Sequence, residues 1–268
     1  MQTTPLPFAL STMLPVRLER ATLIIEAVAR EEPDDGLAAE ADYQATAEIA
    51  SLFVHAIQHR ILTRAFLPLD TNIASPLKQT WEPQLPGWRF EFSVTELDTS
   101  ALRVLLAMLV QSHHAFEPLA RVTLTTDSPV APVQEFGTAL STGPGFPRRP
   151  APLPFELDPP DEDAWPEPGE RYSIGFEWVR AIPAEESEWF REGLNVWDHL
   201  LVLGAFNQDY EEVGELEDMG DIVSETTHRI RHDAVKAGAD HTEFYALLNL
   251  ACAAHASGTP LEAIRIEL

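Results

Sequence analysis

From Trp88 to Thr95 apolar and polar residues alternate one by one (Trp-Arg-Phe-Glu-Phe-Ser-Val-Thr), the period-two signature of a strand with one buried face. Val16–Val28 reads as a second strand, and the apolar spacing changes to helical over Ala38–His59. The later part of the chain repeats the sequence of elements. Arg171–Val179 predicts a strand, Glu185–Phe206 a helix, and Ile230–Val235 a weaker alternating strand.

A shift of 142 residues lays Thr99–Thr126 over His241–Leu268 without a gap. Leu105, Leu106, His113, Pro118 and Leu119 then meet Leu247, Leu248, His255, Pro260 and Leu261. Each segment predicts a helix, a turn and a strand. Asp98 or Asp240 stands where a side chain caps the first amides, and Pro118 or Pro260 forbids continuation of the helix. Each half therefore reads strand, helix, one or two strands, helix, strand. That order predicts an α+β class, with two tandem, related ferredoxin-like βαββαβ halves.

Eleven of the 22 prolines fall between residues 128 and 170. Proline donates no main-chain hydrogen bond, so this stretch predicts a connector, with Leu153, Phe155 and Trp165 packing it along the halves. The expected domains are residues 1–127, the connector 128–170, and residues 171–268. Pro150-Ala-Pro-Leu-Pro-Phe fits a semi-rigid polyproline spacer.

Charge sharpens the functional expectation. Residues 1–150 hold 17 acids and 11 bases, a net of −6, whereas residues 151–268 hold 26 acids and 7 bases, a net of −19. Such a second half repels nucleic acid and anionic membrane and attracts basic proteins. No apolar run approaches the ~20 residues that span a bilayer, and no basic-then-apolar leader precedes Leu14. A cytoplasmic protein is expected. The lone cysteine, Cys252, sits at helical spacing among small apolar residues, which predicts a buried structural thiol.

Chemistry is harder to find. His55/His59 and His228/His232 have the i, i+4 spacing that presents two imidazoles on a helix, but the first pair lacks the metalloprotease glutamate and the second falls on an expected strand. No metal or other cofactor is expected. His113 and His255 suit helix C-termini, where a cationic ring meets free carbonyls. Asp198-His199 lacks a Gly-x-Ser-x-Gly elbow, and Gly143-Pro-Gly145 lacks the lysine of a phosphate loop.

Asn207–Asp221 holds seven acids and no base. Asp209, Tyr210, Glu211, Glu212, Glu215, Leu216, Glu217, Asp218 and Asp221 combine apolar anchors with carboxylates, a mixture suited to docking a basic partner. The resulting expectation is a non-enzymatic acidic binding protein, of the kind represented by bacterial immunity proteins that occlude a basic toxin or nuclease domain. The alternatives are an enzyme with a site assembled across the interdomain cleft, and a nucleic-acid mimic that inhibits a DNA-binding protein.

Overall fold

A computed structural model describes residues 17–28, 37–63, 67–82, 87–98, 101, 102, 104–106, 108, 109, 119–127, 133–135, 149–206, 221–236 and 241–268. The protein is mixed α+β with two five-stranded sheets. The chain divides into two compact units, one formed by Met1–Gln58 and Ile73–Gly145, the other by His59–Asn72 and Phe146–Leu268.

The first unit contains β1 (Arg17–Val28), α1 (Leu37–Gln58), β2 (Lys78–Glu82), β3 (Gly87–Asp98), β4 (Leu119–Thr126) and β5 (Val133–Glu135). Its strand order is β2-β3-β1-β4-β5, antiparallel throughout. Alternation along β3 buries Phe90, Phe92 and Val94, and β1 buries Leu23 and Ile25. Phe53 of α1 meets Phe92 with ring centroids 5.9 Å apart. Helical residues 101, 102, 104–106, 108 and 109 are all buried, so their apolar side chains join this core.

The second unit contains β6 (Glu156–Asp158), β7 (Arg171–Trp178), α2 (Ala184–Val202), β8 (Ile222–Thr226), β9 (Arg229–Val235), α3 (Thr242–Ser257) and β10 (Leu261–Glu267). The order is β6-β10-β7-β9-β8, with β6 parallel to β10 and the other pairs antiparallel. Phe176 meets Phe190 edge-on at 4.9 Å, and Trp197, Leu200, Phe244 and Leu247 fill the helix layer. Cys252 is buried, as its small-residue surroundings predict.

Residues 59–72 belong to this unit. Arg60 is fully buried at φ 66° and donates to the carbonyls of Pro68 (3.3 Å) and Thr71 (3.0 Å). Asn249 donates to the Ile61 carbonyl and Ser257 to that of Leu67. Desolvation lowers the Arg60 pKa.

Several local expectations need correction. α2 stops at Val202 rather than Phe206. There Gly204 adopts φ 63°, and the amides of Gly204 and Ala205 donate back to the carbonyls of Leu201 and Leu200, a glycine-terminated Schellman closure. α1 ends at Gln58, leaving His59 in the following turn. Asp98 is still a strand residue, and the N-cap of α3 is His241, which makes no side-chain capping bond. Asp240, His113 and Pro118 lie outside the described residues. Within 128–170, β5 and β6 add edge strands despite the prolines, because an edge strand needs ladder bonds on one side only.

Candidate binding face of the second unit

The period of two along β7 and β9 divides their residues between two environments. Tyr172, Ile174 and Phe176 of β7, with Ile230, His232 and Ala234 of β9, are buried in the core. Ser173, Gly175 and Glu177, with Arg229, Arg231 and Asp233, take the opposite face, because successive strand side chains alternate.

That outer face is an ionic lattice drawn from all five strands. Arg229 lies 3.1 Å from Glu225, 3.4 Å from Glu267 and 3.7 Å from Glu177. Arg231 reaches Glu225 at 3.0 Å and Asp233 at 3.1 Å. Arg265 reaches Glu177 and Asp158 at 3.2 Å and Glu156 at 3.7 Å. The hydrogen bond that Arg265 donates to Glu177, then the Glu177 charge, raise the Arg265 pKa above the ordinary value. Three guanidinium groups thus serve six carboxylates, and the lattice retains net negative charge. Gly175 supplies the room: a Cβ there would stand 2.9 Å from Arg229 Nη2.

Next to the lattice an open cleft of about 610 Å³ is lined by residues that include Arg171, Ser173, Asp221, Arg231, Asp233 and Glu267. Ser173 Oγ donates to Asp233 Oδ1 at 2.6 Å, and Arg231 Nη2 to Asp233 Oδ2 at 3.1 Å, so Asp233 is fixed from two sides. Asp221 is exposed at the entrance to β8, where its carbonyl accepts the Asp233 amide at 3.1 Å.

The inner side of the same sheet holds a separate polar cluster. His232 is fully buried, with Nε2 2.8 Å from Asp198 Oδ1 and its ring 5.5 Å from Trp197. Lys236 and Glu243, both buried, pair at 3.1 Å, and Trp197 Nε1 donates to the Glu243 carbonyl at 2.8 Å. The Tyr172 hydroxyl has no hydrogen-bond partner among the described residues. Desolvation, then the charges of Glu243 and Asp198, push its pKa well above the usual tyrosine value.

No protein-family model matches the chain. No curated protein matches it either. Among solved structures, a dye-decolorizing peroxidase from Bacteroides thetaiotaomicron aligns over 97% of this chain and 95% of its own at 8% identity, with a TM-score of 0.20. At that score the likeness carries no argument.

Of the residues predicted to dock a partner, Asp221 joins the cleft, while Asp209, Tyr210, Glu211, Glu212, Glu215, Leu216, Glu217 and Asp218 lie outside the described residues. His228 stands in the turn before β9 with its Nδ1 3.0 Å from Thr227 Oγ1, well apart in role from buried His232. His55 is exposed, whereas His59 packs on Trp189 at 5.2 Å. His255 Nδ1 lies 3.1 Å from the Leu261 carbonyl, bridging the helix end and the next strand. Among the described residues no group of three or more His, Cys, Asp or Glu side chains is placed to hold a metal ion, and no helix is long and apolar enough to cross a membrane. Sequence reasoning attended to Asp198 for its neighbour His199. Its partner is His232, 34 positions away, and no spacing rule announces that pairing.

Proposed function

We propose that this chain is an acidic binding protein that engages a basic protein partner, such as a toxin or nuclease domain, through its second unit and occludes it. The observation that carries this reading is the outer face of the second sheet, where three arginines are shared among six carboxylates. The arginines hold the carboxylates in place, and the surplus negative charge is presented on a pleated surface instead of on freely rotating side chains. Electrostatic complementarity of this kind raises association rates and selects the partner's charge. In the sequence, the acids of residues 209–221 contribute to the net charge of −19 over residues 151–268.

The reading includes a tandem architecture in which two related ferredoxin-like halves flank a proline-rich connector. Support comes from strand order: β2-β3-β1-β4 in one sheet corresponds to β8-β9-β7-β10 in the other. It also comes from a shared ionic clasp. Glu26 of β1 is held by Arg121 at 2.6 Å and Arg89 at 4.0 Å, as Glu177 of β7 is held by Arg265 and Arg229. Glu26 faces Arg89 across β1 and β3, and Glu177 faces Arg229 across β7 and β9.

The test uses the rate of binding to a purified basic partner. Replacing Glu156, Asp158 and Glu267 by lysine should slow association at least tenfold at low salt and flatten its salt dependence, with dissociation little changed. A second variant, with Glu211, Glu212, Glu215 and Glu217 replaced by lysine, measures what residues 209–221 add. Truncating Tyr210 or Leu216 should speed dissociation if they anchor the complex. A partner that associates with the sheet variant at the unmodified rate sinks the sheet-face reading.

A further inference from the structure

We propose that the basic partner engages the second unit by laying an extended segment along the outer edge of β6, adding a strand to the sheet. This rests on the acidic binding reading above and specifies how the partner reaches the face. β6 is a terminal strand, paired with β10 on one side. Among the described residues the main-chain groups of Glu156, Leu157 and Asp158 bond only to β10, and the flanking residues 149–155 and 159–170 are all described. Open main-chain donors and acceptors on a strand edge are a template for another strand.

Charge specifies the occupant. Glu156 and Asp158 have side chains 64% and 57% exposed, while Leu157 between them is buried. Two residues apart on one strand, the two acids stand ~6.6 Å from each other along it. Their cationic neighbour among the described residues is Arg265, at 3.7 Å and 3.2 Å, and that guanidinium is shared with Glu177. The edge therefore keeps surplus negative charge.

An extended segment repeats its side chains on one face at the same spacing as β6. Lys or Arg at two positions two residues apart then faces both carboxylates, with an apolar residue between them beside Leu157. A helix gives no such match, because its main-chain groups are satisfied internally and none is left for the edge.

The other three edges suit a basic segment less well. Gln79 of β2 is already engaged, and Lys78 on that strand repels cations. β5 reads Val-Gln-Glu, with a single acid. In β8 the Ile222 carbonyl accepts from Arg191 of α2 at 3.4 Å, which places a cation at that edge. The β6 edge also excludes a second copy of itself, since an antiparallel pair centred on Leu157 would set Glu156 against Asp158. Charges that keep an edge from pairing with its own kind admit a strand of opposite charge.

NMR titration of the full chain at low salt with the blocked peptide Lys-Val-Lys-Val-Lys tests the proposal. Saturable shifts centred on Glu156–Asp158 and β10 are expected, with slowed solvent exchange of the edge amides. The same peptide N-methylated throughout keeps its charge but donates no main-chain bond, and it should bind roughly tenfold more weakly or worse. Glu156→Lys/Asp158→Lys should weaken the unmodified peptide to a similar degree. Equal binding of the two peptides, with the charge reversal still effective, overturns strand addition and leaves the acidic face standing. Absence of binding by the unmodified peptide, shifts centred on another edge, or indifference to the charge reversal overturns it as well. Failure of the acidic reading itself shows separately, as unchanged association of a basic partner with the variant in which Glu156, Asp158 and Glu267 are lysine.

Discussion

Asp198 of α2 and His232 of β9 meet at 2.8 Å with both side chains out of water, so a helix and the sheet beneath it are joined by a charge-assisted contact inside an apolar layer. Removing one partner strands the other without solvent, which is where buried pairs become expensive. Asp198→Ala or His232→Ala should each lower unfolding free energy by about 3–5 kcal/mol. Asp198→Asn, which can still accept from Nε2, should lose clearly less. Urea denaturation measures all three, and a His232→Ala loss under about 0.5 kcal/mol would show that the contact holds nothing.

Lys236 and Glu243 pair at 3.1 Å in full burial, with Lys236 Nζ 5.5 Å from the centre of the Phe244 ring. Lys236→Met alone should destabilise by about 3 kcal/mol or more, because Glu243 keeps its charge and loses its cation. The double variant Lys236→Met/Glu243→Leu should recover most of that loss. A double-mutant cycle by thermal and urea unfolding reads the coupling, and strict additivity of the two single changes would contradict it.

Tyr172 packs its ring on Phe244, centroids 5.3 Å apart, and its buried hydroxyl has no hydrogen-bond partner among the described residues. Tyr172→Phe should therefore raise stability by about 1 kcal/mol, since the desolvated hydroxyl returns nothing in the fold. A pH effect accompanies it. The folded-state pKa is raised well above the usual tyrosine value of 10.0, so the folded chain keeps a proton that the unfolded chain gives up. The associated stability is complete below pH 10.0 and is lost as pH rises from there through the folded pKa. The Tyr172→Phe protein should lack that part of the alkaline decline in unfolding scans, and an identical decline in both proteins would contradict it.

Gly193 lies where α2 crosses α3. A Cβ there would fall 2.7 Å from Leu250 Cδ1 and 3.1 Å from Cδ2, with His59 Nδ1 at 3.4 Å. Alanine favours an isolated helix over glycine by about 1 kcal/mol. At this crossing the overpacking should prevail, because Leu250 is fully buried and has little room to retreat. Gly193→Ala should lower the urea midpoint, and pairing it with Leu250→Val should restore part of the loss. A raised midpoint for Gly193→Ala would show that Leu250 repacks freely.

What the sequence determined by itself was local and periodic. Alternation from Trp88 to Thr95 compelled a strand, since a period of two puts Trp88, Phe90, Phe92 and Val94 on one side, and β3 follows it. Helical spacing located α1, α2 and α3 to within a few residues. Short β2, β5, β6 and β8 escaped notice because three to five residues carry too little pattern, and their pairing energy comes from a neighbouring strand remote in sequence. The charge excess of the second half was plain in composition. Which carboxylates stand together was decided by register: Glu156, Glu177, Glu225 and Glu267 share one face only because β6, β10, β7, β9 and β8 align in that order. The same holds for Asp198 and His232, whose contact arises when α2 closes over β9. Side-chain periodicity is a property of neighbours along the chain, whereas a site is a property of neighbours in space, and only the packed sheet converts one into the other.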